Sequence, residues 1–507
     1  MNYSDDLFQL INSLSRNEKG YFKKFAAKHV VGGGNNYIRL FDYMERQKEY
    51  DEALLKKHFR KETFIKHLPS EKNYLYHLVL RAISEYHSGS SAEKQIGDIL
   101  HSIELLYAKG LFAQCRKLLT KAKKLSAHFQ KPLIALQLHE WESMILKALA
   151  DLDAFRSFSE SSAVQQKELI KQFDNYSQYR RLEERMFLLS KLSGFPRNRE
   201  EKKPYDRIMS HELMKNSKRA LSFRSSLHYY SINSFYEEVM SRPQQTYQYR
   251  KQLVEHMETF PHLVDDDQQR YVIALNNLLN SQDELALVNE CEDTITKLNS
   301  LKTKSPNIRT RIFGYTWNIR LTQWLIAGEF EKVVSHAKEI ETGLKIHSRL
   351  LHPEFRLAFK YQFFYGFFGA GKFRISLRWM NELLDDETLK IRPEIYFFAR
   401  IMNLILHFEM KNTELLRYNI RNTYRLFIKQ KRLFKFETII LNFIRRSGNY
   451  ATPVQMRKAF IQLREEIKKI ESDPYEKQVL GFFDIVSWLE SKITKRSFEE
   501  VMKMKKM

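Results

Sequence analysis

Trp317-Asn318-Ile319-Arg320-Leu321-Thr322-Gln323-Trp324, then Gly328-Glu329-Phe330, then Val333-Val334-Ser335-His336-Ala337-Lys338-Glu339-Ile340 decide the fold. Trp317, Leu321 and Trp324 recur at helical spacing, Gly328 interrupts the run, and Val333, Ala337 and Ile340 resume it. Two helices joined by a tight turn are predicted. The pattern returns as Phe364 and Phe367, then Gly371-Lys372-Phe373, then Ser376, Met380 and Leu383. A recurring helical hairpin is the unit of an α-solenoid.

The run of glycine, acidic residue, aromatic, small residue and two apolar positions, preceded by a helix with a bulky aromatic, resembles the tetratricopeptide repeat (TPR). Trp317 stands where that family favours a large aromatic, Gly328 at its inter-helix turn, and Val333 where it prefers a small residue. The family's period is about 34 residues, whereas Gly328 to Gly371 spans 43, and the closing proline is missing. The hairpins are therefore irregular and TPR-like. The resemblance implies an all-α, right-handed α-solenoid of about six to eight such hairpins with an N-terminal helical cap. It also implies a concave groove that holds a peptide or helix, with Asn318, Gln323, Tyr361 and Tyr365 on the inner face of first helices.

A chain of 507 residues is too long for one ordinary core, a constraint that a solenoid removes because each repeat buries its face on its neighbours. Cys115 and Cys291 are the only cysteines and lie far apart, so neither a disulfide framework nor a metal cluster is encoded. Cys115 occupies the small-residue slot of its hairpin, a packing position. The start, Met1-Asn2-Tyr3-Ser4-Asp5-Asp6, is acidic where a signal peptide is basic. The densest apolar run, Ile395 to Phe408, contains Arg400 and His407, so no membrane insertion is expected and the cytoplasm is the expected compartment. The net charge of +23 attracts anionic partners without specifying which.

Residues 1–70 read as the cap. Ser15-Arg16-Asn17-Glu18 is a capping box ahead of Tyr21, Phe22 and Phe25, and Gly32-Gly33-Gly34 ends that helix. Short helices follow over Tyr37–Gln47 and Tyr50–Phe59; with Lys19, Lys23, Lys24 and Lys28 a helix-turn-helix reader is the competing interpretation. The segments Leu14-Ser15-x3-Lys19-x-Tyr21-Phe22-Lys23 and Gln47-Lys48-Glu49-Tyr50-Asp51-Glu52 are similar to the start of large bacterial TPR-like proteins, a resemblance that carries no activity. Hairpins are expected over 71–195 and 205–447, with an exposed, Pro- and charge-rich loop between Ser193 and Asp206 as boundary or hinge. Residues 452–507 read as terminal helices with a frayed basic tail.

Catalytic signatures are missing. Gly366-Phe367-Phe368-Gly369-Ala370-Gly371-Lys372-Phe373 imitates a phosphate-binding loop, but Phe373 replaces the Mg²⁺-ligating hydroxyl and a helical face precedes it. The sixteen histidines are scattered, and neither a zinc motif nor a nucleophile elbow occurs. No catalytic residue, metal or cofactor is assigned. An enzyme without a recognisable motif stays the least favoured alternative.

Charge patterning carries more. From Lys411 to Arg446 ten basic residues face only Glu414 and Glu437, and Arg417, Arg421, Arg425 and Lys429 fall four apart on one helix face, with Arg432 beyond it. An anionic partner would relieve their mutual repulsion. Val264 to Asp293 has the opposite bias, eight acidic residues against Arg270. Tyr418, Tyr424, Phe427, Phe434 and Phe436 interleave with the basic residues, as stacking platforms or as core. The expected function is a non-catalytic protein-interaction scaffold with a protein or peptide partner, acidic in character. A nucleic-acid-binding regulator using residues 411–446 is the alternative.

Overall fold

The computed structural model describes residues 3–28, 36–87, 91–193, 199–391, 393–430, 434–448, 450, 452–471, 476 and 480–506. Among those residues the regular structure is entirely helical. Two compact units divide the chain, Met1–Leu285 and Ala286–Met507, with the division inside the segment 205–447 expected as one run of hairpins. Residues 194–198 of the expected boundary lie outside the described residues, and helix resumes already at Arg199 with Pro204 inside it.

In the first unit α1 (Tyr3–Ser13), α2 (Arg16–Lys28), α3 (Asn36–Arg46), α4 (Glu52–His58) and α5 (Leu68–Tyr86) surround Phe22, Phe41, Leu55, Leu75 and Val79. The capping box forms as read: the Glu18 N–H donates to Ser15 Oγ at 3.3 Å and the Ser15 N–H to the Glu18 carboxylate at 2.7 Å. Two donors at the start of α2 are thereby satisfied. The glycines expected to end α2 lie outside the described residues.

Then α6 (Ala92–Ala108) and α7 (Phe112–His128) pair across Gly110, whose φ of 72° places the turn in the left-handed region that glycine enters without strain. With α8 (Pro132–Ala148) they enclose Ile96, Ile103, Cys115, Leu119, Leu138 and Ile145, so Cys115 is the packing residue expected of it. The next helix, α9 (Leu152–Ser193), is 42 residues long. Its second half shares a core with α10 (Arg199–Met209) and α11 (Phe223–Val239) through Tyr179, Tyr205 and Ile232. α12 (Pro243–Glu258), α13 (Pro261–Asp266) and α14 (Gln268–Glu284) complete the unit.

The second unit begins with α15 (Val288–Ser300), followed by the Trp317 hairpin, α16 (Pro306–Ala327) and α17 (Phe330–His347), and by the Phe364 hairpin, α18 (Pro353–Gly369) and α19 (Phe373–Leu384). Next come α20 (Pro393–Glu409), α21 (Thr413–Lys429), α22 (Lys435–Ser447) and α23 (Pro453–Ile470), and last α24 (Ile485–Thr494) and α25 (Phe498–Lys506). From α16 on, each helix packs on the one before it. Gly366-to-Phe373 is the end of α18, a left-handed turn at Gly371 and the start of α19. Gly366 and Gly369 let α17 approach closely: a Cβ on them would stand 2.4 Å from Val333 and from Phe330, respectively.

The tail differs from expectation. Rather than fraying, Lys503 to Lys506 continue α25, whose Phe498 and Met502 are buried, with the Phe498 ring 5.2 Å from that of Phe330. The apolar spacing Phe498-x3-Met502 gives this helix a face to bury, which outweighs the terminal position of its lysines.

Candidate functional site

The four groove residues all belong to the second unit, on α16 and α18. Gln362 joins the two helices by donating from Nε2 to the Asn318 carbonyl, Asn318 Oδ1 and Thr322 Oγ1 at 3.1, 3.1 and 3.0 Å. Asn318 is thus engaged within the unit, and Gln323 is half-buried. Tyr361 and Tyr365 meet the chain's own C-terminal part. The Tyr361 hydroxyl donates to the Phe482 carbonyl, and the Tyr365 hydroxyl accepts the Asp484 N–H at 3.1 Å. Phe483 lies 4.7 Å from the Tyr365 ring and Phe498 stacks on it at 6.4 Å. Burial pushes both phenols well above their ordinary pKa, so they stay neutral hydrogen-bonding groups.

What holds that segment down is also clear. Trp488 is buried and donates its indole N–H to Glu409 at 2.6 Å, and Lys492 pairs with the same carboxylate at 2.5 Å. These contacts join α24 to α20.

The basic face has the opposite character. On α21 the buried positions are Leu416, Thr423 and Phe427, and at 100° per residue Arg417, Arg421, Arg425 and Lys429 fall on the far side. All four are exposed and make no ion pair or hydrogen bond among the described residues. Several other cations of the unit are paired: Arg356 and Lys360 on Asp386 at 3.1 and 2.7 Å, Lys372 on Glu331 at 3.0 Å, Arg464 on Glu490 at 2.6 Å. Arg432 lies outside the described residues.

The interleaved aromatics divide. Phe427 and Phe436 are core, whereas Tyr418 is 61% exposed, Tyr424 46% and Phe434 49%. Leu415 and Ile428, which sequence reasoning did not select, are also exposed beside the arginines. Their signal was available in the helical wheel, because at 100° per residue both lie about 80° or more from the buried positions Leu416, Thr423 and Phe427. The outward face of α21 therefore mixes fixed positive charge with apolar side chains, a combination suited to an anionic partner that also has apolar groups.

The acidic stretch is less free than its composition suggests. The Asp266 side chain is largely covered, pairs with Lys131 at 2.9 Å and accepts the Ala92 N–H at 2.7 Å. Asp267 caps α14 through the Arg270 N–H, and Glu292 pairs with Arg320 at 3.0 Å. These three carboxylates serve the fold. Among the described residues no group of His, Cys, Asp or Glu is arranged to hold a metal ion, and no helix is long and apolar enough to cross a membrane.

Comparison with protein families, with curated proteins and with solved structures finds no match for this chain.

Proposed function

We propose that the chain is a non-catalytic interaction scaffold, a right-handed α-solenoid of TPR-like hairpins that docks an acidic protein partner on the outward face of α21. The observation that carries this reading is the row Arg417, Arg421, Arg425 and Lys429, four exposed cations on one face of α21 with no ion pair among the described residues. Four like charges at one-turn spacing repel, so an anionic partner gains both the direct attraction and the relief of that repulsion. Within the second unit, the packing of each helix from α16 on against its predecessor supports the solenoid arrangement. With Tyr361 and Tyr365 bonded to residues 482 and 484, α21 is a more accessible docking face than the inner side of α16 and α18.

A second reading, single-stranded nucleic acid on the same face, draws on the exposed rings of Tyr418, Tyr424 and Phe434. Affinity capture from the native cell separates the two. The scaffold reading expects a protein retained after nuclease treatment at low salt, and lost when Arg417, Arg421 and Arg425 are changed to Glu. Loss of the captured material on nuclease treatment favours nucleic acid, and capture unaffected by the substitutions removes α21 from both readings.

A further inference from the structure

A second surface, in the first unit, has a chemistry unlike anything on α21. On α12, Gln244, Gln245, Gln248 and Gln252 share one helix face, since they are spaced by one, three and four residues. Together with Tyr229 and Tyr230 of α11, Tyr249 of α12 and Ser217 they line a cleft of about 630 Å³. No carboxylate, ammonium, guanidinium or imidazole contributes to that lining. The four glutamines make no hydrogen bond to another described residue, so each amide offers two donors and an acceptor.

The tyrosines are held in place. Tyr229 is buried among Tyr179, Ile232 and Tyr236, its ring 5.4 Å from Tyr230 and near-perpendicular to it at 76°. Tyr230 in turn lies 5.8 Å from His256. Burial raises the pKa of Tyr229 and Tyr249, which keeps both phenols neutral at physiological pH.

An ionic ligand would enter this cleft without a countercharge and lose hydration that nothing there replaces. An uncharged ligand with many hydroxyls does not have this problem. Side-chain amides pair a donor with an acceptor, as adjacent sugar hydroxyls do, and aromatic ring faces suit the C–H faces of pyranose rings. We propose that the Gln244–Gln252 face of α12, with Tyr229, Tyr230 and Tyr249, binds a neutral oligosaccharide. The cleft volume lies in the range of small-ligand sites and admits a short oligosaccharide.

Saturation-transfer NMR on the full chain tests this with cellohexaose, maltohexaose and chitohexaose, and with hexagalacturonate as the charged control. At least one neutral hexasaccharide is expected to bind, and Gln248→Ala with Gln252→Ala is expected to weaken it at least about 10-fold, as loss of two or more hydrogen bonds does. Both glutamines are exposed, so circular dichroism and melting should stay at the wild-type values. Tyr249→Phe should keep most of the affinity and Tyr249→Ala lose it, because the ring face is the larger contribution. The proposal is overturned if no neutral hexasaccharide binds, if binding survives the double substitution, if hexagalacturonate binds equally well, or if only an uncharged peptide gives a signal at this cleft.

Discussion

The two units bury their apolar residues in different ways. In the second unit one core runs without a break from Leu321 to Met502 and takes in α24 and α25. In the first, burial falls into separate clusters: Leu7 to Ala82, Ile96 to Ile145, and Tyr179 to Val239. Helical arrays whose elements touch only neighbours can open one part at a time, whereas a closed core opens as a whole. The difference traces to the last residues of the chain, because Phe498, Phe483 and Trp488 return onto α17, α18 and α20 and link elements distant in sequence.

The strongest way to break this contrast is to remove a linking side chain. Trp488→Ala should cost about 3–5 kcal/mol in chemical denaturation and raise hydrogen exchange throughout the helices that share the Leu321–Met502 core. In the first unit Leu138→Ala should cost about 2–5 kcal/mol, yet speed exchange only in the helices that share its cluster. Equal spreading of the effect in both would erase the distinction.

Glycines give a smaller effect of opposite sign in the two units. Gly369→Ala sets a Cβ 2.4 Å from the fully buried Phe330 ring and should destabilise by about 1–3 kcal/mol. Gly97→Ala in α6 meets nothing within 4 Å on an exposed helix position and should stabilise by about 0.5–1 kcal/mol. Thermal melts of the two variants check both signs.

Acid should act on the units alike. Burial lowers the pKa of His139 and His256 in the first and of His347 and His407 in the second. As pH falls below about 6.5 the unfolded chain takes up protons before the folded one does, so stability is greatest above that pH and declines below it, until the lowered folded values are reached. Melting temperatures measured between pH 7.5 and 5.5 (about one unit on either side of the reference value) should fall, and less so in a variant with these histidines changed to Gln.

The hairpins were legible where glycine marks the turn. Gly110, Gly328 and Gly371 all have φ near +70°, and Gly328 and Gly371 were read as turns. The same left-handed step is made by Gln130, Ala150, Ser241, Ala286 and Lys411, which carry no such mark. The extent of α9 is not legible, because its apolar residues past Phe173 are interrupted by Arg180, Arg181, Glu183 and Glu184, which reads as weak periodicity. On α21 the charges were legible from four-residue spacing alone. Whether Tyr361 and Tyr365 were covered was not, because local pattern says nothing about contacts across some 120 residues.

The functional account depends on whether α21's free cations capture an acidic ligand. Fluorescence anisotropy of a labelled polyglutamate peptide, titrated with the wild-type chain and with the Arg417→Glu, Arg421→Glu, Arg425→Glu variant across a salt series, measures this directly. Binding at low salt that weakens steadily as salt rises, and falls at least about 10-fold in a variant with unchanged helicity, is the predicted result. Equal binding by both proteins, or none by the wild type at low salt, would contradict it.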